Sequence, residues 1–193
     1  AEKVARLGVE IIRGFYDAGV IPVGKHFPGH GDTSQDSHLT LPRVKRTQES
    51  LEQIELIPFS HAIEKGLEVL MTAHVVYQSW DADRPATFSP TIMKNVLRNS
   101  LHFEGVIMSD DLEMQAIEDK MEAIPERGVQ AGVDIFLICH DLEKVNTLQD
   151  AMIRDIESGK IPRTAIDQSL ARIFKVKQRL QVPADTRHNF ENI

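Results

Sequence analysis

The chain has 193 residues, 41% of them apolar and 26% charged, with a formal net charge of −7. That balance suits one globular domain of ordinary size and argues against a nucleic-acid or anionic-membrane surface. The single cysteine, Cys139, excludes an intrachain disulfide. No apolar run approaches the ~20 residues that span a bilayer, and no signal peptide is visible.

Residues 1–18 read as an amphipathic helix. Val4, Leu7, Ile11 and Phe15 recur at helical spacing, Val9 and Ile12 widen the stripe, and Gly19 stands where a C-terminal cap belongs. Residues 20–24 form a short apolar run that predicts a buried strand. The stretch from Lys25 to His38 comes next, rich in His, Asp and Gly. Thr47 is placed to cap a helix over 48–56, and Pro58 to start another that runs to Lys65. Residues 69–75 predict a second buried strand ending in His74-Val75. Ser89-Pro90 predicts a helix start, with the helix running to about Asn99.

Residues 105–108 predict the third strand, with Ser109-Asp110-Asp111 at its end. A helix over about 122–131 comes after it. Val133 to Ile138 predicts the fourth strand, closed by His140-Asp141, and Cys139 reads as a buried core thiol. Helices over about 142–158 and 164–180 complete the domain, the second capped by Thr164. The domain is expected over 1–182, with a polar tail over 183–193.

Strands alternating with helices predict a parallel sheet with helical cover. Every predicted strand ends in polar residues, as when a site is built at the C-terminal face of a (β/α) barrel. Four such units are readable. They fit either an open doubly wound sheet or half of an eight-stranded barrel, and the pattern alone does not choose.

Three groups carry chemistry. Asp110, at a strand end, is placed to act as nucleophile or base; equally, Asp110 or Asp111 caps the next helix. Asp36-Ser37-His38 puts a carboxylate within reach of an imidazole, which orients the ring and raises its basicity; the plainer reading is an Asx turn. Lys25 and His26 end the first strand and can clamp hydroxyls or an anion. His26, His30, Asp32, Asp36 and His38 cluster without a tight metal spacing, so no metal site is expected. His74 either lines the same cleft or is a core histidine with a backbone partner.

At these residues the chain resembles a known family. Lys25-His26-Phe27-Pro28-Gly29-His30-Gly31-Asp32-Thr33 followed by Asp36-Ser37-His38 is similar to the signature of bacterial β-N-acetylglucosaminidases of glycoside hydrolase family 3, the NagZ type. Val106-Ile107-Met108-Ser109-Asp110-Asp111-Leu112-Glu113-Met114 resembles the same family's nucleophile segment. Met71-Thr72-Ala73-His74-Val75 lies between them, and the resemblance runs to about residue 180.

The resemblance implies an α/β fold of the (β/α)8 TIM-barrel family, this chain covering about strands 5–8. It implies a retaining hydrolase that needs no cofactor. Asp110 would be the nucleophile, His38 the acid/base paired with Asp36, and Lys25 and His26 would bind hydroxyls of N-acetylglucosamine. The substrate would be an N-acetylglucosaminyl muropeptide of peptidoglycan recycling, in the bacterial cytoplasm or on a lipid-anchored form. The first four strands have no counterpart in this sequence, so the expected partner is a missing barrel half or a second copy, with little activity for the chain alone. A phosphorylase using the same residues, a non-catalytic carbohydrate-binding remnant and an open α/β binding protein are the rival expectations.

Overall fold

In the computed structural model the described residues are 1–31, 33, 41–117 and 119–180. Four parallel strands make the main sheet: β1 Val23–Phe27, β3 Val69–Thr72, β5 Val106–Asp111 and β6 Ile135–Leu137, in the spatial order β1-β3-β5-β6. A second, two-stranded parallel pair joins β2 Arg43–Val44 to β4 Val76–Tyr77. The helices are α1 Glu2–Asp17, α2 Gln48–Gln53, α3 Leu56–Glu64, a π-helix over Thr91–Ser100, α4 Ile124–Ala131, α5 Leu142–Glu157 and α6 Arg163–Lys177.

The strand order speaks against the open doubly wound sheet. Parallel crossovers are right-handed, so strands laid down in strict sequence order carry their helices on one face. A doubly wound sheet needs a reversal of order, and none occurs among the described strands. The helical face is the core: Leu70, Ile107, Leu97 and Ile92 are buried there, with Phe136 packed against them. The opposite face carries Val69, Val106, Met108 and Ile135, and α6 covers part of it through Val176 and Ile173.

Several predicted boundaries move. The first strand is Val23–Phe27, not 20–24, because residues 20–22 connect α1 to it; Lys25 and His26 therefore lie within a strand instead of following one. The third strand runs on to Asp111. The last helix starts at Arg163 with Pro162 at its cap, so Thr164 is inside it. Cys139 is exposed, not buried, because β6 ends at Leu137 and the cysteine lies beyond the sheet. Other signals hold: Thr47 Oγ1 accepts from Ser50 N at 3.2 Å, and Gly19 takes φ +75° just past α1.

One prediction is only half realised. Helix α1 packs on α3 through the side that carries Ala5, Val9 and Ile12, and Ala5 is buried. The stripe of Val4, Leu7, Ile11 and Phe15 stays exposed. Val4, Ile11 and Phe15 of this stripe line an open groove of about 870 Å³ that runs along α1 and β1 to Lys25, His26 and His30.

Candidate active site

The site is built at the C-terminal ends of β1, β3 and β5. Asp110, the next-to-last residue of β5, sits where the chain leaves the sheet. Its Oδ1 accepts the Asp111 N–H at 2.9 Å, which fixes the plane of the carboxylate. Its Oδ2 lies 3.4 Å from His26 Nε2, and both side chains are partly exposed. So one oxygen is oriented by the backbone and the other faces an imidazole at the mouth of the sheet. That is the arrangement a nucleophilic carboxylate needs.

Asp111 takes the structural share of the acid pair. Its Oδ1 accepts the Glu113 N–H at 3.1 Å. The residues after it form turns, not a helix, so the capping reading holds as a turn. Ser109 is buried and its Oγ accepts the Leu137 N–H at 2.9 Å. This bond spans the register shift between β5 and β6 and locks the base of the Asp110 segment.

His74 proves to be a core histidine, not a cleft residue. It is 1% exposed. Its Nε2 is 3.0 Å from the Asp111 carbonyl and its Nδ1 is 2.7 Å from Thr87 Oγ1. A carbonyl only accepts, so Nε2 carries a proton. Burial pushes the His74 pKa down, against the upward pull of Asp110 and Asp111; the neutral ring then accepts from the Thr87 hydroxyl. A buried imidazole thus holds the carbonyl one residue past Asp110.

Around the first motif, Thr33 Oγ1 lies 3.0 Å from both His30 Nδ1 and the His30 carbonyl. The His26 and His30 rings meet edge to face at 5.9 Å between centroids. The Tyr77 hydroxyl donates to the Gly29 carbonyl, and burial pushes its pKa up. Lys25 is exposed and lines the groove beside His26. Asp36 and His38, the expected acid/base dyad, lie outside the described residues. Of the five expected site residues, the structure brings His26 and Asp110 together, with Lys25 preceding His26 on β1 and lining the groove. Sequence reasoning missed that His26 meets Asp110 directly, since no spacing rule links residues 84 positions apart. Of the two readings the sequence left open for His74, the structure shows the core histidine with a backbone partner.

Residues 1–176 match the family described as the glycosyl hydrolase family 3 N terminal domain. A Beta-hexosaminidase of Alkalilimnicola ehrlichii is 44% identical over 147 residues, which are 75% of this chain and 42% of that protein. One from Shewanella frigidimarina is 40% identical over 150 residues, 76% of this chain and 44% of that protein. The chain therefore spans less than half the length of these curated relatives. Among solved structures, a glycoside hydrolase family 3 β-N-acetylglucosaminidase from Paenibacillus superposes with a TM-score of 0.91 at 43% identity, over 93% of this chain and 35% of the other.

Proposed function

We propose that this chain, which belongs to glycosyl hydrolase family 3, carries the nucleophile of a retaining β-N-acetylglucosaminidase. The observation that carries the reading is Asp110, held by the Asp111 N–H on one oxygen and facing His26 with the other. In the first step Asp110 Oδ2 bonds to the anomeric carbon while the glycosidic C–O bond breaks, and His38 gives its proton to the leaving oxygen. In the second, water attacks the same carbon, His38 takes the water's proton, and the ester to Asp110 breaks. Asp36 orients His38, and Lys25 and His26 hold sugar hydroxyls. A histidine with an ordinary pKa of about 6.5 suits both proton transfers near neutral pH. The substrate we propose is an N-acetylglucosaminyl muropeptide or related peptidoglycan fragment, met in the cytoplasm.

The groove along α1 and β1 is where we place the remaining strands of an eight-stranded barrel. Two features support this: the exposed apolar stripe on α1, and a sheet whose order ends at β1 and β6 among the described residues. Half a barrel leaves a strand edge and an apolar interior to be covered.

The test is turnover of an aryl β-N-acetylglucosaminide by this chain mixed with a family first-half barrel, compared with the Asp110→Asn variant. Turnover lost on substitution supports the nucleophile. Turnover unchanged in Asp110→Asn overturns it. Turnover that depends on added phosphate would convert the reading to a phosphorylase acting through the same residues.

A further inference from the structure

We propose that His74 is a positioning residue for Asp110: with Thr72 and Thr87 behind it, it holds the backbone that aims the Asp110 carboxylate, without touching substrate itself. The inference rests on the reading of Asp110 as the nucleophile.

Three buried side chains form a line of hydrogen bonds behind the site. Thr72, His74 and Thr87 are each 1% exposed or less. Thr72 Oγ1 lies 2.8 Å from Thr87 Oγ1, and Thr87 Oγ1 lies 2.7 Å from His74 Nδ1. His74 Nε2 donates to the Asp111 carbonyl at 3.0 Å. With the neutral ring's proton on Nε2, Nδ1 accepts from the Thr87 hydroxyl, and the Thr87 oxygen accepts from the Thr72 hydroxyl. The Ala73 carbonyl is 3.2 Å from Thr87 Oγ1, but the imidazole nitrogen is nearer. The line therefore runs one way, from Thr72 at the end of β3 to the Asp111 carbonyl at the end of β5.

The Asp111–Leu112 peptide is held from both sides. Its carbonyl takes the His74 proton, and its N–H, on Leu112, donates to the Leu137 carbonyl at 2.9 Å. One peptide earlier, the Asp111 N–H donates to Asp110 Oδ1 at 2.9 Å. A turn of the Asp111–Leu112 peptide would thus disturb the donor that sets the plane of the carboxylate. β6 restrains that peptide on one side, and β3 restrains it on the other through the histidine.

His74 is too deeply buried to meet a sugar, so its effect reaches the reaction only through Asp111 and Asp110. The attack is sensitive to such effects: a misplacement of about 1 Å can cost roughly 10²-fold in rate. Packing alone would be satisfied by an apolar side chain of similar size. Positioning demands a donor at Nε2, because the buried carbonyl otherwise loses its partner.

The test compares His74→Leu, which keeps bulk and removes the donor, with His74→Gln, which returns an N–H near the Nε2 position. In the 193-residue chain, amide hydrogen exchange reads the Asp111 N–H, whose acceptor is the Asp110 carboxylate. Exchange there should be at least about tenfold faster in His74→Leu and close to wild type in His74→Gln. The Val106 N–H, bonded to the Glu68 carbonyl at the other end of β5, should keep its rate in both. Thr87→Val, which removes only the middle hydroxyl, should speed Asp111 exchange several-fold and serves if His74→Leu does not fold. In the enzyme completed with a family first-half barrel, His74→Leu should lower kcat on an aryl β-N-acetylglucosaminide by about 10–10²-fold with KM little changed, and His74→Gln should restore most of it. Unchanged Asp111 exchange in folded His74→Leu and Thr87→Val overturns the inference. So does wild-type kcat in His74→Leu when Asp110→Asn is inactive, which leaves the nucleophile reading standing. Turnover that survives Asp110→Asn overturns that reading and this inference together.

Discussion

His26 Nε2 meets Asp110 Oδ2 at 3.4 Å, although β3 stands between the strands that carry them. Strands two places apart are about 9.5 Å from one another along a sheet. Contact across that distance needs side chains that lean together over the intervening strand, which a sheet curled toward this face provides. The register shift between Gly24 and Phe27 falls at His26 and re-aims the chain there. If Asp110 attacks a sugar carbon, His26 positions both the carboxylate and the sugar. In an assembled enzyme, His26→Ala is therefore expected to lower kcat/KM by about 10²-fold. Asp110→Asn should lose roughly 10³-fold or more in kcat. Steady-state kinetics on one aryl glycoside separates the two, and a His26→Ala enzyme with unchanged kcat/KM would remove His26 from the site.

His74 gives a prediction in pH. Its folded-state pKa is lowered, chiefly by burial, so the unfolded chain binds a proton that the folded chain resists. Stability contributed by the neutral ring is full above the unfolded pKa of about 6.5 and falls as pH drops below it toward the folded value. Urea midpoints measured at pH 7.5 and pH 5 should show this loss. His74→Gln keeps a donor for the Asp111 carbonyl without a titrating ring, so its midpoint should change less over the same interval. Equal pH slopes for the two proteins would mean that His74 does not titrate with folding.

What could be read from the residues depended on which forces are local. Gly19, Thr47 and the apolar runs act within a few positions, so the caps and the alternation of strand and helix were directly legible. Asp110 was legible as a strand-end carboxylate because it follows an apolar run, and the structure places it at the end of β5. The His26–Asp110 contact was not, since it depends on sheet curvature and a register shift. The β2–β4 pair was missed because two-residue strands leave no period to detect. Cys139 was misplaced because the apolar run Val133–Ile138 outlasts the strand, Ile135–Leu137, and the chain leaves the sheet before the cysteine.

Asp134 carries the largest structural prediction, and no motif announced it. Its carboxylate is fully buried between Arg98 and Arg172, at 3.0 and 2.7 Å. It also accepts from Ser169 Oγ at 2.6 Å and from Ile107 N at 2.9 Å. One side chain thus ties the start of β6 to the π-helix, β5 and α6. Burial lowers the Arg98 pKa to about 10, against the upward pull of Asp134, so the arginine stays charged at neutral pH and needs its partner. Asp134→Ala strands two guanidinium groups in a low-dielectric pocket, and about 3–5 kcal/mol of stability should be lost. Chemical denaturation measures it; a loss under about 1 kcal/mol would show that water replaces the carboxylate at no real cost.

The exposed stripe on α1 separates folding from assembly. Leu7 and Ile11 are 56% and 60% exposed, so charge placed there removes few contacts that the chain makes with itself. The double change Leu7→Glu, Ile11→Glu should shift stability by only about 0.5 kcal/mol per site. In a completed barrel the same side chains would be covered by the added helices and strands, each contributing about 1.5–3 kcal/mol when fully buried. Charge in that interface adds a desolvation cost that an apolar partner cannot offset. The variant is therefore expected to keep its urea midpoint and to lose association with a first-half barrel by at least about a hundredfold, read by sedimentation of the mixture. If association survives the two charges, the added half does not seat on α1, and the groove beside Lys25 and His26 must be closed from another side.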